Sequence, residues 1–216
     1  MSRVERTHDI LKICRLLHER DYIAGADGNV SFRLSNSEIL ITPSGKHKGF
    51  ISESDIAVIT IENRIVSGNP SGEREMHLEI YRQVPQAACV VHAHPPTAIA
   101  WSVARPHLKE LPSKALSETI LAVGRVPIAS YARPTTSEMG DSIRALLPDN
   151  RVMILARHGA VSWGETAEEA YNGVERIEAI SKILKLSEEL GGITDLPSEE
   201  IAYLEKMRSG FGGRTL

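Results

Sequence analysis

Residues 87–97 read AACVVHAHPPT, an apolar run closed by two histidines and two prolines. Ala87–Val91 has the length and composition of a buried strand. Pro95 and Pro96 stand where a first helical turn tolerates proline, and the pattern continues as a short helix over Thr97–Ala104. A strand passing directly into a helix is an α/β unit. On an extended chain residues i and i+2 point to the same face, so His92 and His94 present two imidazoles side by side. That pair can chelate zinc or another borderline divalent ion. The same spacing also occurs as two unrelated surface histidines, so position has to decide between the readings.

Upstream, Leu11, Cys14 and Leu17 recur with helical spacing within Val4–Tyr22, and Gly25 and Gly28 end that segment. Short strands follow at Val30–Phe32, Ile39–Ile41 and Ile56–Ile61. A turn at Glu62-Asn63-Arg64 folds the last of these back through Ile65 and Val66 as a hairpin. The loop 67–73 leads to a helix over Glu73–Arg82. Downstream the pattern predicts a strand at Val126–Ser130, a helix at Ser137–Leu147 and a strong strand at Val152–Ala156. Thr166 and Glu169 form a capping box, each side chain satisfying the other's amide, for a long helix to Leu190 with Gly191-Gly192 as its stop. A short last helix begins at Pro197, and the tail GFGGRTL (210–216) is expected to be mobile or to wait for a neighbour. Nothing divides the chain into self-sufficient halves. The expectation is one α/β domain over residues 1–216, with enough hairpin pairing to exclude a purely doubly wound sheet.

At 216 residues with 42 % hydrophobic and 25 % charged, the chain is an ordinary globular protein with a substantial core. Its net charge of −3 gives no reason to expect nucleic acid or an anionic membrane as partner. No run approaches the ~18–20 apolar residues of a membrane span, and the start MSRVERTHDI has no apolar signal segment. Cys14 and Cys89 lie in apolar stretches as small hydrophobes, which favours a reducing, cytoplasmic setting. Aromatic residues, at 5 %, leave few rings for stacking a base or sugar.

The second apolar strand also ends in a histidine, within Ala156-Arg157-His158-Gly159. If it neighbours Ala87–Val91, His158 becomes a third nitrogen ligand, leaving a fourth position open as in a catalytic metal site. Glu73, at a helix start, is either a proton-transferring carboxylate beside that metal or an ordinary first-turn glutamate. His77, one turn along, is a supporting partner or simply a helix histidine. Three small-residue clusters offer donors for an anion: Gly28-Asn29-Val30-Ser31, Thr42-Pro43-Ser44-Gly45-Lys46 and Pro70-Ser71-Gly72. Each alone reads equally as a turn, and the second does not match a nucleotide P-loop.

Taken together, GNVSFR (28–33), ITPSG (41–45), PSGE (70–73), VVHAHP (90–95) and ARHGAVSWG (156–164) resemble the class II aldolase/adducin family in order and spacing, over nearly the whole chain. The resemblance implies a central, mostly antiparallel sheet flanked by helices, and a C4 homotetramer with sites between subunits. It implies His92, His94 and His158 as zinc ligands, with Mn, Co, Fe or Ni as other ions such a set holds. It implies Glu73 as acid/base and Asn29, Ser44, Gly45, Ser71 and Gly72 as the positions that bind a substrate phosphate.

The activity implied is cleavage of a ketose 1-phosphate to dihydroxyacetone phosphate and an aldehyde. Related dehydratases, epimerases and decarboxylases are the alternative; family epimerases tend to carry aspartate where Glu73 stands. A non-catalytic adducin-like scaffold predicts a damaged metal set, which this sequence does not have. Two departures bear on the substrate. Residues 111–118 contain no tyrosine where aldolases of the family supply one from a neighbouring subunit, leaving Lys114, Glu118, Tyr131 and Tyr203 as substitutes. Gly72 replaces the second of a usual serine pair.

Overall fold

The computed structural model describes residues 1–214. Helix α1 (Arg3–Glu19) begins at a reciprocal cap: Glu5 N–H donates to Ser2 Oγ, and Ser2 N–H donates to the Glu5 carboxylate. It buries Ile10, Ile13, Cys14 and Leu17. Four strands follow, β1 (Asn29–Arg33), β2 (Glu38–Ile41), β3 (Ala57–Thr60) and β4 (Ile65–Ser67), the last two joined by the anticipated turn, with Asn63 at a φ of 67°. Then come α2 (Arg74–Gln83), β5 (Cys89–Ala93), α3 (Pro96–Ala104) and α4 (Ser117–Ala122). The chain continues through β6 (Ile128–Ala129), α5 (Glu138–Arg144), β7 (Val152–Leu155), β8 (Gly159–Gly164), α6 (Ala167–Leu190) and α7 (Ser198–Gly210).

The eight strands form one sheet in the order β4-β3-β2-β1-β5-β8-β7-β6. Every pairing is antiparallel except that of β6 with β7. The fold is a single α/β domain whose mostly antiparallel sheet is covered by helices. Strand β5 lies near its centre and is buried on both faces, which explains its unbroken apolar sequence. Cys89, Val91 and Ala93 face α1 and the start of α6, packing with Ile10, Leu17 and Val174. Val90 faces the other way, with Met76 and Ile80 of α2, Ile143 of α5 and Trp163 of the neighbouring β8. A third cluster packs Ala98 and Trp101 of α3 with Ile154 and Ile177.

Several expectations need correction. Ala87–Val91 and Val152–Ala156 are not neighbours, because β8 lies between β5 and β7. Neither β8 nor α4 was anticipated. Glu169 N–H does donate to Thr166 Oγ1, but the Glu169 carboxylate accepts from Glu165 N–H and Arg151. The last helix runs to 13 residues. Of the tail, Gly213 and Arg214 fold back, their carbonyls accepting from Arg208, while Arg214 pairs with Glu165 at 2.9 Å. Thr215 and Leu216 lie outside the described residues. No helix among those described is long and apolar enough to cross a membrane.

The start of α3 matters for the site. Pro95 has no side chain with which to cap it, and Glu178 of α6, fully buried, takes that role. Its Oε2 accepts from Thr97 N–H at 2.9 Å and from Ala98 N–H at 3.1 Å.

Candidate metal centre and anion cradle

Strand β5 carries His92 between Asn29 of β1 and Val161 of β8, and His94 follows one residue past the strand's end. His92 is fully buried, and its Nδ1–H donates to the Ala160 carbonyl oxygen at 2.9 Å. That bond orients the ring and turns Nε2 toward His94 and Glu73. The His94 backbone N–H donates to Tyr22 O at 2.7 Å, and its Nδ1 faces Asp27 at 3.5 Å. His158 occupies the tight turn between β7 and β8, where Arg157 adopts a φ of 60° and its N–H is held by Ser102 Oγ at 2.8 Å. A side chain on Gly159 would stand 2.5 Å from Ala93 O and 2.8 Å from the His92 ring, so only glycine lets this turn close on the histidines.

The rings of His92, His94 and His158 lie 4.9 to 5.0 Å apart between centroids, and His92 Nε2 is 3.2 Å from His94 Nε2. Glu73, the residue capping α2, places Oε2 3.2 Å from His92 Nε2 and Oε1 3.1 Å from His158 Nε2. Burial alone would raise its pKa, but the hydrogen bonds and charge of His158 and His92 hold it well below the usual carboxylate range. Burial, with the neighbouring His92 and His158, pushes His94 down to about 3. Imidazole lone pairs and carboxylate oxygens aimed at one point repel one another unless a cation stands between them. Three nitrogens with an adjacent anionic oxygen therefore fit a divalent metal of borderline softness.

Behind Glu73 runs a chain of buried polar groups. Asn29 Nδ2 donates to Glu73 Oε2 at 2.8 Å, and Asn29 Oδ1 is bonded to His77 Nε2. His77 Nδ1 lies 2.6 Å from Ser31 Oγ, which lies 2.9 Å from the Tyr81 hydroxyl. Burial pushes His77 down to about 3 and raises the Tyr81 phenol well above its ordinary value, so both are neutral. His77 is thus a partner within the site. Ser31, placed with the anion-binding clusters from sequence, instead points into this buried chain. Its sequence signal was a lone hydroxyl on a strand that proves buried on both faces.

The loops after β2 and β4 are bridged at Pro43 and Pro70. Ser44 N–H donates to Asn69 O at 2.9 Å and Ser71 N–H donates to Thr42 O at 3.0 Å. These bridges bring the Ser44-Gly45 and Ser71-Gly72 segments together, and Glu73 N–H donates to Ser71 Oγ at 3.3 Å. The amides of Ser44 and Ser71 are spent tying the loops together, which leaves hydroxyls and the Gly45 and Gly72 amides as donors. Sequence reasoning missed Lys48, which is buried and donates to Ala26 O at 2.7 Å and Lys46 O at 2.9 Å, bracing the loop that carries Asp27. Lys114 and Glu118 are exposed, and Lys114 lines a cleft with Arg125 and Arg208 that none of the three histidines lines. Tyr131 and Tyr203 are exposed as well.

Residues 8–184 match the model of the class II aldolase and adducin N-terminal domain. An L-fuculose phosphate aldolase from Methanococcus vannielii is 38 % identical over 175 residues, 81 % of this chain and 93 % of that protein. A 3-oxo-tetronate 4-phosphate decarboxylase from Escherichia coli K12 is 30 % identical over 191 residues, 85 % of this chain and 88 % of that protein. Among solved structures, an L-fuculose 1-phosphate aldolase superposes with a TM-score of 0.85 at 30 % identity, over 95 % of this chain and 97 % of that one. With its sheet, its three convergent histidines and these relatives, the chain belongs to the class II aldolase/adducin family.

Proposed function

We propose that this chain is a metal-dependent aldolase cleaving a ketose 1-phosphate to dihydroxyacetone phosphate and an aldehyde. The observation that carries the reading is the placement of Glu73, with one oxygen 3.2 Å from His92, the other 3.1 Å from His158, and the small-residue loops alongside. His92, His94 and His158 would hold the ion, zinc as the first choice. Bound there, a divalent ion supplies Lewis acidity that stabilises negative charge on a substrate carbonyl oxygen. Asn29, Ser44, Gly45, Ser71 and Gly72 bind the phosphate and so set the distance between it and the reacting carbons. Glu73 delivers a proton to C3, the carbon left electron-rich when the C3–C4 bond breaks. The identity to fuculose phosphate aldolases supports the choice, as does glutamate rather than aspartate at position 73. The reading includes a cytoplasmic protein, residues 1–216 acting as one domain, and assembly as a C4 homotetramer.

One observation favours a second reading. Aldol cleavage requires removal of the proton on the C4 hydroxyl, and residues 111–118 hold no tyrosine for it. Decarboxylation of a 3-oxo acid releases carbon dioxide with no such proton to remove, and uses the same protonation by Glu73. The decarboxylases among the relatives make this the alternative.

Turnover of a panel of ketose 1-phosphates and four-carbon 3-oxo acid 4-phosphates tests both, with dihydroxyacetone phosphate, aldehyde and carbon dioxide measured together. Dihydroxyacetone phosphate with an equimolar aldehyde is the expected result. Carbon dioxide in place of the aldehyde establishes the decarboxylase, and a product formed without dihydroxyacetone phosphate overturns the aldolase.

A further inference from the structure

We propose that His77 is a positioning residue: through the Asn29 amide it sets the direction in which Glu73 presents its carboxylate. The inference deepens the functional reading above and rests on it for its kinetic part only.

An asparagine amide fits its density of contacts in two ways related by a flip, and here the two are chemically opposite. With Nδ2 toward Glu73, the amide donates to the carboxylate at 2.8 Å and its oxygen accepts from His77 Nε2–H. Flipped, it would set a carbonyl oxygen against an anionic oxygen, at the cost of both bonds. The flip is tied to the His77 tautomer. A ring protonated on Nε2 requires Asn29 Oδ1 opposite it, and leaves Nδ1 to accept the Ser31 hydroxyl proton at 2.6 Å. Ser31 Oγ in turn accepts from the Tyr81 hydroxyl at 2.9 Å. A ring protonated on Nδ1 would reverse every bond from Tyr81 to Glu73. The carboxylate therefore selects one direction for the whole chain, and the chain, buried in α2 and β1, returns the favour by holding Asn29 as a donor. His77 and Ser31 are both fully buried, so water does not compete for these bonds. In the absence of His77, Asn29 is free to rotate, and Glu73 loses its fixed donor while His92, His94 and His158 keep their own anchors at Ala160 O, Tyr22 O and Leu155 O.

The tautomer is read directly by nitrogen NMR of histidine-labelled full-length protein at pH 7, with His77 assigned by its loss in the His77→Leu variant. The expected result is a neutral ring protonated on Nε2. Protonation on Nδ1 overturns the proposal. Kinetics supply the second arm. His77→Leu should lower kcat roughly ten- to hundredfold with metal content unchanged and KM little moved. His77→Gln, which can still donate to Asn29, should recover most of it, and Ser31→Ala, at the other end of the ring, should fall between. Wild-type kcat in His77→Leu, or no recovery in His77→Gln with the fold intact, overturns the positioning role. If the protein turns over none of the proposed substrates, the functional reading fails while the tautomer still decides the direction of the chain.

Discussion

The carbonyl oxygen of Ala160 accepts the Nδ1–H of His92 at 2.9 Å, and Ala160 stands beside Ala93 in the β5–β8 pairing. One residue of β8 therefore sets both the register of the strand that carries His92 and the ring nitrogen that strand offers to the site. The His92 corner of the candidate metal centre is therefore fixed by sheet pairing, which makes its geometry a property of the core.

His94→Ala removes one of three nitrogens without touching that scaffold. Metal retained after dialysis should drop below stoichiometric, and turnover should fall by at least about a hundredfold. Elemental analysis alongside kcat/KM checks this. Full activity with bound metal would refute the ligand set. Chelation of the wild type should abolish turnover, and added Zn, Mn or Co should restore it to differing degrees.

Glu73→Gln keeps the size of the side chain and the contact to Asn29 but removes the charge and the proton-carrying oxygen. The expected loss in kcat is about 10²- to 10⁴-fold, with metal still bound. A loss confined to KM would assign Glu73 to substrate binding instead.

Gly159→Ala forces a methyl to within 2.5 Å of Ala93 O and 2.8 Å of the His92 ring. Backbone has to move on one side or the other. A stability loss of about 1–3 kcal/mol in urea unfolding, together with weakened metal binding, should follow. An unchanged metal affinity would show that the turn can open without disturbing the rings.

Acid should destabilise the fold through His77. Its folded pKa is about 3 against an ordinary 6.5, so between those values the unfolded chain binds the extra proton. Stability is complete above pH 6.5 and is lost as pH falls toward 3, by about 2 kcal/mol at pH 5. Glu73, held below its ordinary value, adds loss of the same sign as pH falls through the carboxylate range. Denaturant midpoints from pH 8 to 4 measure the slope, and His77→Gln should flatten it.

The parts of the site that were legible in sequence are those written as local patterns. His92 and His94 alternate on a strand, Gly159 follows His158, and Ser44, Gly45, Ser71 and Gly72 sit among turn residues. What was not legible depends on partners far along the chain. Strand β8 is mostly small residues between glycines and reads as a turn until β5 and β7 pair with it. Ser31 and Tyr81 are 50 residues apart and become a pair only when α2 packs on β1. Lys48 looks like a surface lysine beside Lys46, yet its ammonium is enclosed by carbonyls. Glu178 is one glutamate among many on α6, distinguished only because the bare start of α3 docks against it. His158 joins the other two histidines for a reason the strand pattern does not contain: it arrives through the hairpin turn, not through a strand adjacent to β5.

The docking of Glu178 gives the site a polarity of its own. The first amides of a helix beginning two residues after His94 would otherwise be a natural berth for a phosphate or carboxylate. Glu178 occupies that berth from within, and with it the helix's positive end is neutralised before any ligand arrives. An anion approaching the three histidines therefore meets no free helix end at α3. The berth that α3 would have offered is filled by the protein's own side chain.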